Sequence, residues 1–407
     1  MTEGPGSKEW RDAARERLLT FARRSVRDEG GFVWLDDDGD PDPDMNLELW
    51  INARMTYVFA LAHLAGDPST GSGDGEYLRL VTHGVEAMAL FHDDKHGGWF
   101  AQIDEHNHPV GDNKLCYEHA FVLLAACAAS AAGAEGADAL LTEATDIHHR
   151  MFWDSEAGRC VEQRSRDWST IDAYRGANSN MHTVEAYLFA ADATGNPIWR
   201  DRALSICERI IGIHARAHDW RIPEHYDSDW TPLPDYNQDQ PADPFRPFGA
   251  TPGHAFEWSR LLVHLAAALD DPRPWVEEAA EELFARAVDD AVSDEFPGIP
   301  YTTDWHGVPV VEERFHWVIS EAVLAASALH DYTGQALYEG FTARWWSEIA
   351  EYFVDEATGS WHHELSPTMG PSTRTWHGKP DAYHAYNALT LPDLPLAPSA
   401  ALTIRDR

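Results

Sequence analysis

Histidine outnumbers lysine more than fivefold in this chain, 22 to 4. Imidazole is the side chain that both takes up and releases a proton near neutral pH, so the chain is stocked for proton-transfer chemistry. The histidines are not scattered. Six helix-like segments each open with His or Arg among aromatic residues: LWINAR (49–54), CYEHAF (116–121), NMHTVEA (180–186), GHAFEWSR (253–260), FHWVISEA (315–322) and YHAYNAL (383–389). Marked by Trp50, His119, His182, His254, His316 and His384, the beat has intervals of 69, 63, 72, 62 and 68 residues. His182, His254 and His384 are expected at equivalent, functional positions. Each has a carboxylate three residues away, Glu185, Glu257 and Asp381, a spacing that puts both groups on one helical face where the acid can orient the ring or bind a substrate hydroxyl. His119 and His316 are expected to be structural, as are the histidines outside the repeat.

Arg54 is a fixed cation one turn into the first opening, suited to holding a substrate oxygen through two donors. Tryptophans near the openings, Trp50 and Trp317 among them, offer flat apolar faces that suit the C–H side of a sugar ring. No HExxH motif is present, and HHEL (362–365) lacks the second His at i+4, so no metal is expected. A glycoside hydrolase would need two carboxylates flanking the scissile bond. Asp304, Glu257 and Asp381 are the candidates for that weaker reading.

The elements that position these residues follow from periodicity. Trp10, Ala14, Leu18 and Phe21, then Leu78, Val81, Val85 and Met88, then Trp275, Ala279, Leu283 and Ala287, each form one apolar stripe with charges opposite, as in outer helices. FVLLAACAASAA (121–132) is apolar or small all round, as in a helix buried on every side. Six inner and six outer helices in alternation predict an (α/α)6 barrel, one catalytic domain over 1–407, with hairpin-like loops at 30–43, 97–111 and 298–310. The long Pro- and Asp-rich segment 223–253 is expected to be a lid or wall, and the tail after Pro392 to wrap the surface.

Composition narrows the partners. A net charge of −37 argues against nucleic acid or an anionic membrane. No apolar run approaches a membrane span and the first residues hold no signal-peptide core, so a cytoplasmic location is expected. Cys116, Cys127, Cys160 and Cys207 form no CxxC pair and are expected as core residues. Oligomeric state is not legible.

AYRGANSNMHTVEA (173–186), PDYNQDQPADPFRPFGATPGHAFEWSR (234–260), KPDAYHAYN (379–387) and LWINAR resemble the N-acylglucosamine 2-epimerase superfamily, most of all its aldose–ketose isomerase branch, from about Phe32 to Pro398. The resemblance implies an (α/α)6 barrel that isomerises a free sugar without metal, nucleotide or other cofactor. By the same resemblance His384 is the base that moves a proton between C2 and C1, and His254 assists ring opening and proton movement at the oxygens. Arg54, Tyr117, Asn178, His182, Glu257, Trp317 and Asp381 then line the sugar pocket, with Arg246 also assigned to substrate. Branch members acting on sulfoquinovose carry an Arg and a Gln where this chain has Pro244 and His363. Losing two sulfonate partners favours an uncharged hexose, mannose going to fructose, with lyxose to xylulose alongside. A 2-epimerase of the same superfamily remains an alternative.

Overall fold

The computed structural model describes residues 4–68, 75–271 and 273–407. Its contacts group into two compact units. The N-terminal unit holds residues 19–206, 380–383 and 398–407; the C-terminal unit holds 4–18, 207–379 and 384–397.

Helices dominate, in the order α1 (Lys8–Ala22), α2 (Leu49–Ala65), α3 (Glu76–Leu90), α4 (Cys116–Ala131), α5 (Ala137–Ile147), α6 (Ala177–Thr194), α7 (Ile198–Cys207), α8 (Pro252–Ala268), α9 (Pro274–Ala291), α10 (His316–Thr333), α11 (Ala336–Glu348), α12 (Tyr383–Thr390) and α13 (Ala400–Arg405). In the N-terminal unit α2 packs on α3 and α4, and α4 on α5 and α6; in the C-terminal unit α8 packs on α9 and α10, and α10 on α11. The two helix types read from the sequence are both present. Every residue of α2 from Leu49 to Ala62 is buried, whereas α3 buries only the stripe Tyr77, Val81, Gly84, Val85, Ala87 and Met88. Gly84 lets these two helices touch, since a Cβ there would come within 2.0 Å of Thr56 Oγ1. Three outer helices widen into π-helical ends at His148–Phe152, Glu208–Ala215 and Ile349–Phe353.

The repeat reaches into the loops. Six tight turns close with two main-chain bonds each, one of them from the first residue's N–H: Asp36 to Asp40 O, Asp104 to His108 O and Ser165 to Thr170 O in one unit, Asp227 to Thr231 O, Asp304 to Val308 O and Ser366 to Gly370 O in the other. Four start with Asp, whose carboxylate accepts two further backbone N–H groups. Asp304 is one of these, with partners at 2.8 and 2.9 Å, which makes it a turn-former and removes it from the hydrolase candidates.

A second repeated device pins inner helices of the N-terminal unit. Asn52 accepts from Phe32 N at 2.7 Å, His119 from Trp99 N at 3.2 Å and Asn180 from Cys160 N at 2.9 Å. Each is the fourth residue of its helix and reaches back 20 residues. His119 thus does the work of an asparagine, as its expected structural role requires.

The expected hairpins at 30–43, 97–111 and 298–310 are present as short ladders or bridges. Segment 223–253 lies against the 300–315 hairpin, with Ala250 bridging Thr303 and Tyr301 Oη donating to Pro244 O at 3.1 Å. The tail differs from the expectation of a surface wrap. After Pro398 it forms α13, which buries Ala401 and Ile404 and packs against α2, α4 and α6. Its apolar i, i+3 pair outweighs the proline-rich approach. All four cysteines are buried and unbridged.

Candidate active site

His254, His384 and Trp317 lie together in the C-terminal unit. Trp317 packs its ring 5.3 Å from that of His254 and 5.9 Å from that of His384. Gly253 makes this possible: a Cβ there would fall 2.5 Å from the indole. Each histidine is held from behind. His254 Nδ1 pairs with Glu224 Oε1 at 2.9 Å, and His384 Nδ1 with Glu321 Oε1 at 2.9 Å. An ionised carboxylate only accepts, so Nδ1 carries the proton and Nε2 is the basic nitrogen in both rings. Glu321 is fully buried and its other oxygen accepts from Arg260 Nε at 2.9 Å; Arg260 also lies 3.6 Å from Glu257. The guanidinium neutralises a carboxylate that would otherwise be costly to bury. Glu257, Glu321 and His384 place ligand atoms within 4.8 Å of one another, but Arg260 already supplies positive charge to both acids.

The N-terminal unit holds a different constellation. Arg54 donates to Asp381 Oδ2 at 3.1 Å and to Tyr117 Oη at 3.0 Å, with its guanidinium 4.3 Å from the Phe121 ring centre and 4.9 Å from that of Tyr383. His182 packs against Tyr117 and Phe121, at 5.2 and 4.6 Å. Tyr383 Oη donates to Glu185. Asn178, half-buried, opens α6 one turn before His182, and its Oδ1 has no hydrogen-bond partner. This side is rich in oriented donors and aromatic faces, the equipment for holding hydroxyl groups.

Two expectations need correction. First, the histidines are not at equivalent helical positions: His182 is the sixth residue of α6, His254 the third of α8 and His384 the second of α12. The repeated positions are the second, Trp50, Tyr117, Asn178, Gly253, Trp317 and His384, and the sixth, Arg54, Phe121, His182, Glu257 and Glu321. One helical turn separates them. Second, the acids that hold Nδ1 of His254 and His384 are not the ones three residues away. Glu257 lies by Arg260, Asp381 holds Arg54 and Glu185 accepts from Tyr383, while the orienting acids Glu224 and Glu321 come from a loop and from the neighbouring helix. Glu321 stood inside the quoted FHWVISEA segment, and its place as sixth residue was the signal available; Glu224 had none.

Arg246 is half-buried in segment 223–253, its main chain fixed by Asp243 and Asn237, and its charge adds to the burial that lowers the His225 pKa. His363 stacks on His316 with ring centres 3.8 Å apart, and burial, reinforced by His316 and Lys379, holds its pKa well below the ordinary histidine value. Position 363 therefore presents a neutral ring.

Among the described residues no helix is long and apolar enough to cross a membrane. Residues 30–388 match the N-acylglucosamine 2-epimerase family. The D-mannose isomerase of Thermobifida fusca is 48% identical over 96% of this chain and 95% of its own, and that of Pseudomonas cannabina pv. alisalensis 45% identical over 98% and 95%. A crystal structure of D-mannose isomerase superimposes with a TM-score of 0.88 at 29% identity, covering 96% of this chain and 99% of its own. The fold is the (α/α)6 barrel expected from the repeat. The chain belongs to the N-acylglucosamine 2-epimerase family.

Proposed function

We propose that this protein interconverts D-mannose and D-fructose, with D-lyxose and D-xylulose as a second pair, by proton transfer through a cis-enediolate. The supporting observation is the pair of histidines on either side of Trp317, each with Nδ1 on a buried glutamate. His384 Nε2 takes the C2 proton of the open-chain aldose and returns it to C1. His254 moves protons at the oxygens, first in ring opening and then as O1 and O2 exchange carbonyl character. A proton alpha to a carbonyl is weakly acidic, so the developing enediolate oxygen needs donors; Arg54 and His182 are assigned to it. Tyr117, Asn178, Arg246, Glu257, Trp317 and Asp381 are assigned to sugar recognition or to holding the groups that perform it. The neutral His363, with Lys379 already paired to Asp355, suits an uncharged sugar better than a sulfonate. A family of relatives acting on mannose supports the substrate. Four unbridged thiols suit a reducing, cytoplasmic setting.

Mannose turned over in deuterated water tests the reading. Fructose labelled at C1 as the first product is expected; glucose labelled at C2 would make the enzyme an epimerase instead. Aryl glycosides are expected to remain intact. Sulfoquinovose turnover exceeding that of mannose would overturn the substrate assignment.

A further inference from the structure

Glu364 has no part in the chemistry above, yet the HHEL segment (362–365) that carries it is buried at three of four positions, His363, Glu364 and Leu365. Glu364 is 2% exposed and accepts four hydrogen bonds from one short stretch of chain. Its Oε1 takes Ser372 Oγ at 2.6 Å and Arg374 N at 3.0 Å; its Oε2 takes Thr375 N at 2.9 Å and Trp376 N at 2.7 Å. A carboxylate with both oxygens doubly engaged by fixed donors is a rigid anchor. The stretch it anchors runs on through Lys379 to His384.

The same segment also grips the other half of the His384 pair. Glu364 is the ladder partner of Phe315, the residue before α10, and His363 O accepts both His316 N at 3.1 Å and His316 Nδ1 at 3.3 Å. Helix α10 carries Trp317 and Glu321. One two-residue strand therefore fixes the start of the helix that presents Glu321 and the approach to the helix that presents His384.

We propose that Glu364 is a positioning residue for the base: its carboxylate clamps Ser372–Trp376 to the 309–315 strand and so sets the His384–Glu321 geometry. The inference rests on His384 being the base. A shift of the clamp moves His384 relative to its glutamate, weakens the Nδ1 bond and mis-aims Nε2. Misplacement by about 1 Å is enough to cost on the order of 100-fold in rate.

Glu364→Gln tests this, because an amide keeps one acceptor oxygen but turns an NH2 toward two of the four donors. Amide exchange followed by mass spectrometry is expected to accelerate at least about 10-fold over residues 372–376. The kcat for mannose is expected to fall about 10- to 100-fold with little change in KM, and the acid limb of the pH–kcat profile to shift as His384 loses part of its contact with Glu321. Glu364→Asp, which keeps the charge, should recover part of both. Ser372→Ala removes one donor while leaving the carboxylate three, and carries the same test at smaller amplitude should Glu364→Gln fail to fold. Unchanged exchange in a folded variant would overturn the clamp. Faster exchange with kcat and the pH profile unchanged would overturn the positioning role and leave the clamp merely structural. A wild-type enzyme that makes no ketose would fail the function proposed above, while the exchange measurement would still decide the clamp.

Discussion

The C-terminal unit puts carboxylates behind histidines, whereas the N-terminal unit puts a carboxylate and a phenol on an arginine. The difference separates two jobs. A glutamate on Nδ1 fixes the tautomer and stabilises the imidazolium that forms when Nε2 takes a proton, so His254 and His384 are equipped to change charge. Arg54, bonded to Asp381 and Tyr117 and packed among Trp50, Phe121 and Tyr383, is equipped to keep both its charge and its place. On the proposed reading, one region moves protons and the other holds oxygens.

The contrast can be broken most sharply at His384. His384→Ala is expected to lower kcat for mannose by about 1,000-fold or more, in line with the loss of a general base, with circular dichroism unchanged. Retention of a tenth of the activity would reassign the base. Glu321→Gln should cost less, about 10- to 100-fold in kcat, since His384 remains but its ring is no longer held by a charge. That variant also leaves Arg260 with a weaker partner, so thermal stability should drop; unaltered kcat would show that the glutamate serves Arg260 alone. Arg54→Lys should lower kcat/KM about 10-fold, through kcat as well as KM, because a lysine keeps the charge but loses the fork that engages Asp381 and Tyr117 together, and the arginine is assigned to the enediolate oxygen. A change in KM alone would make it a binding group only.

The smallest effect concerns stability. Among the described residues each unit contains a lysine–aspartate pair with a buried lysine, Lys114 with Asp93 and Lys379 with the half-buried Asp355. Burial alone would raise the Asp355 pKa, but donation from Lys379 and Thr358 overcomes it and holds the carboxyl at about 2. With an unfolded value of about 3.9, the native state favours the ionised form, so this contribution is present above about pH 4 and is lost as pH falls toward 2. Asp93 is held lower still by Arg166 and Lys114 against the same burial penalty. Urea midpoints at pH 4 and pH 2 should therefore differ less in Asp355→Asn than in the wild type. Equal slopes would mean that the pair persists in the unfolded chain.

The helices were legible because burial imposes a period. An uninterrupted apolar run in α4 and single stripes in α1, α3 and α9 each have one stable solution, a helix buried on all sides or on one. The family resemblance picked out His254, His384, Arg54 and Trp317, and the structure gathers the first two with Trp317. The beat does not follow one helical register. Its six markers mix the second, third, fourth and sixth residues of their helices with the first, His316, because a period counted on one residue type ignores where each helix begins.

Sequence alone determined which residue types are available, where the inner helices run and that a repeat organises them, since these depend on local periodicity and on spacing along one chain. Tertiary structure decided the pairings. Glu224 reaches His254 across 30 residues and Glu321 reaches His384 across 63, while the nearer acids are committed to Arg260, Arg54 and Tyr383. A hydrogen bond is set by direction and distance in space, within about 3 Å. The i, i+3 rule gives only neighbours on a single helix surface, and these partners lie on other elements.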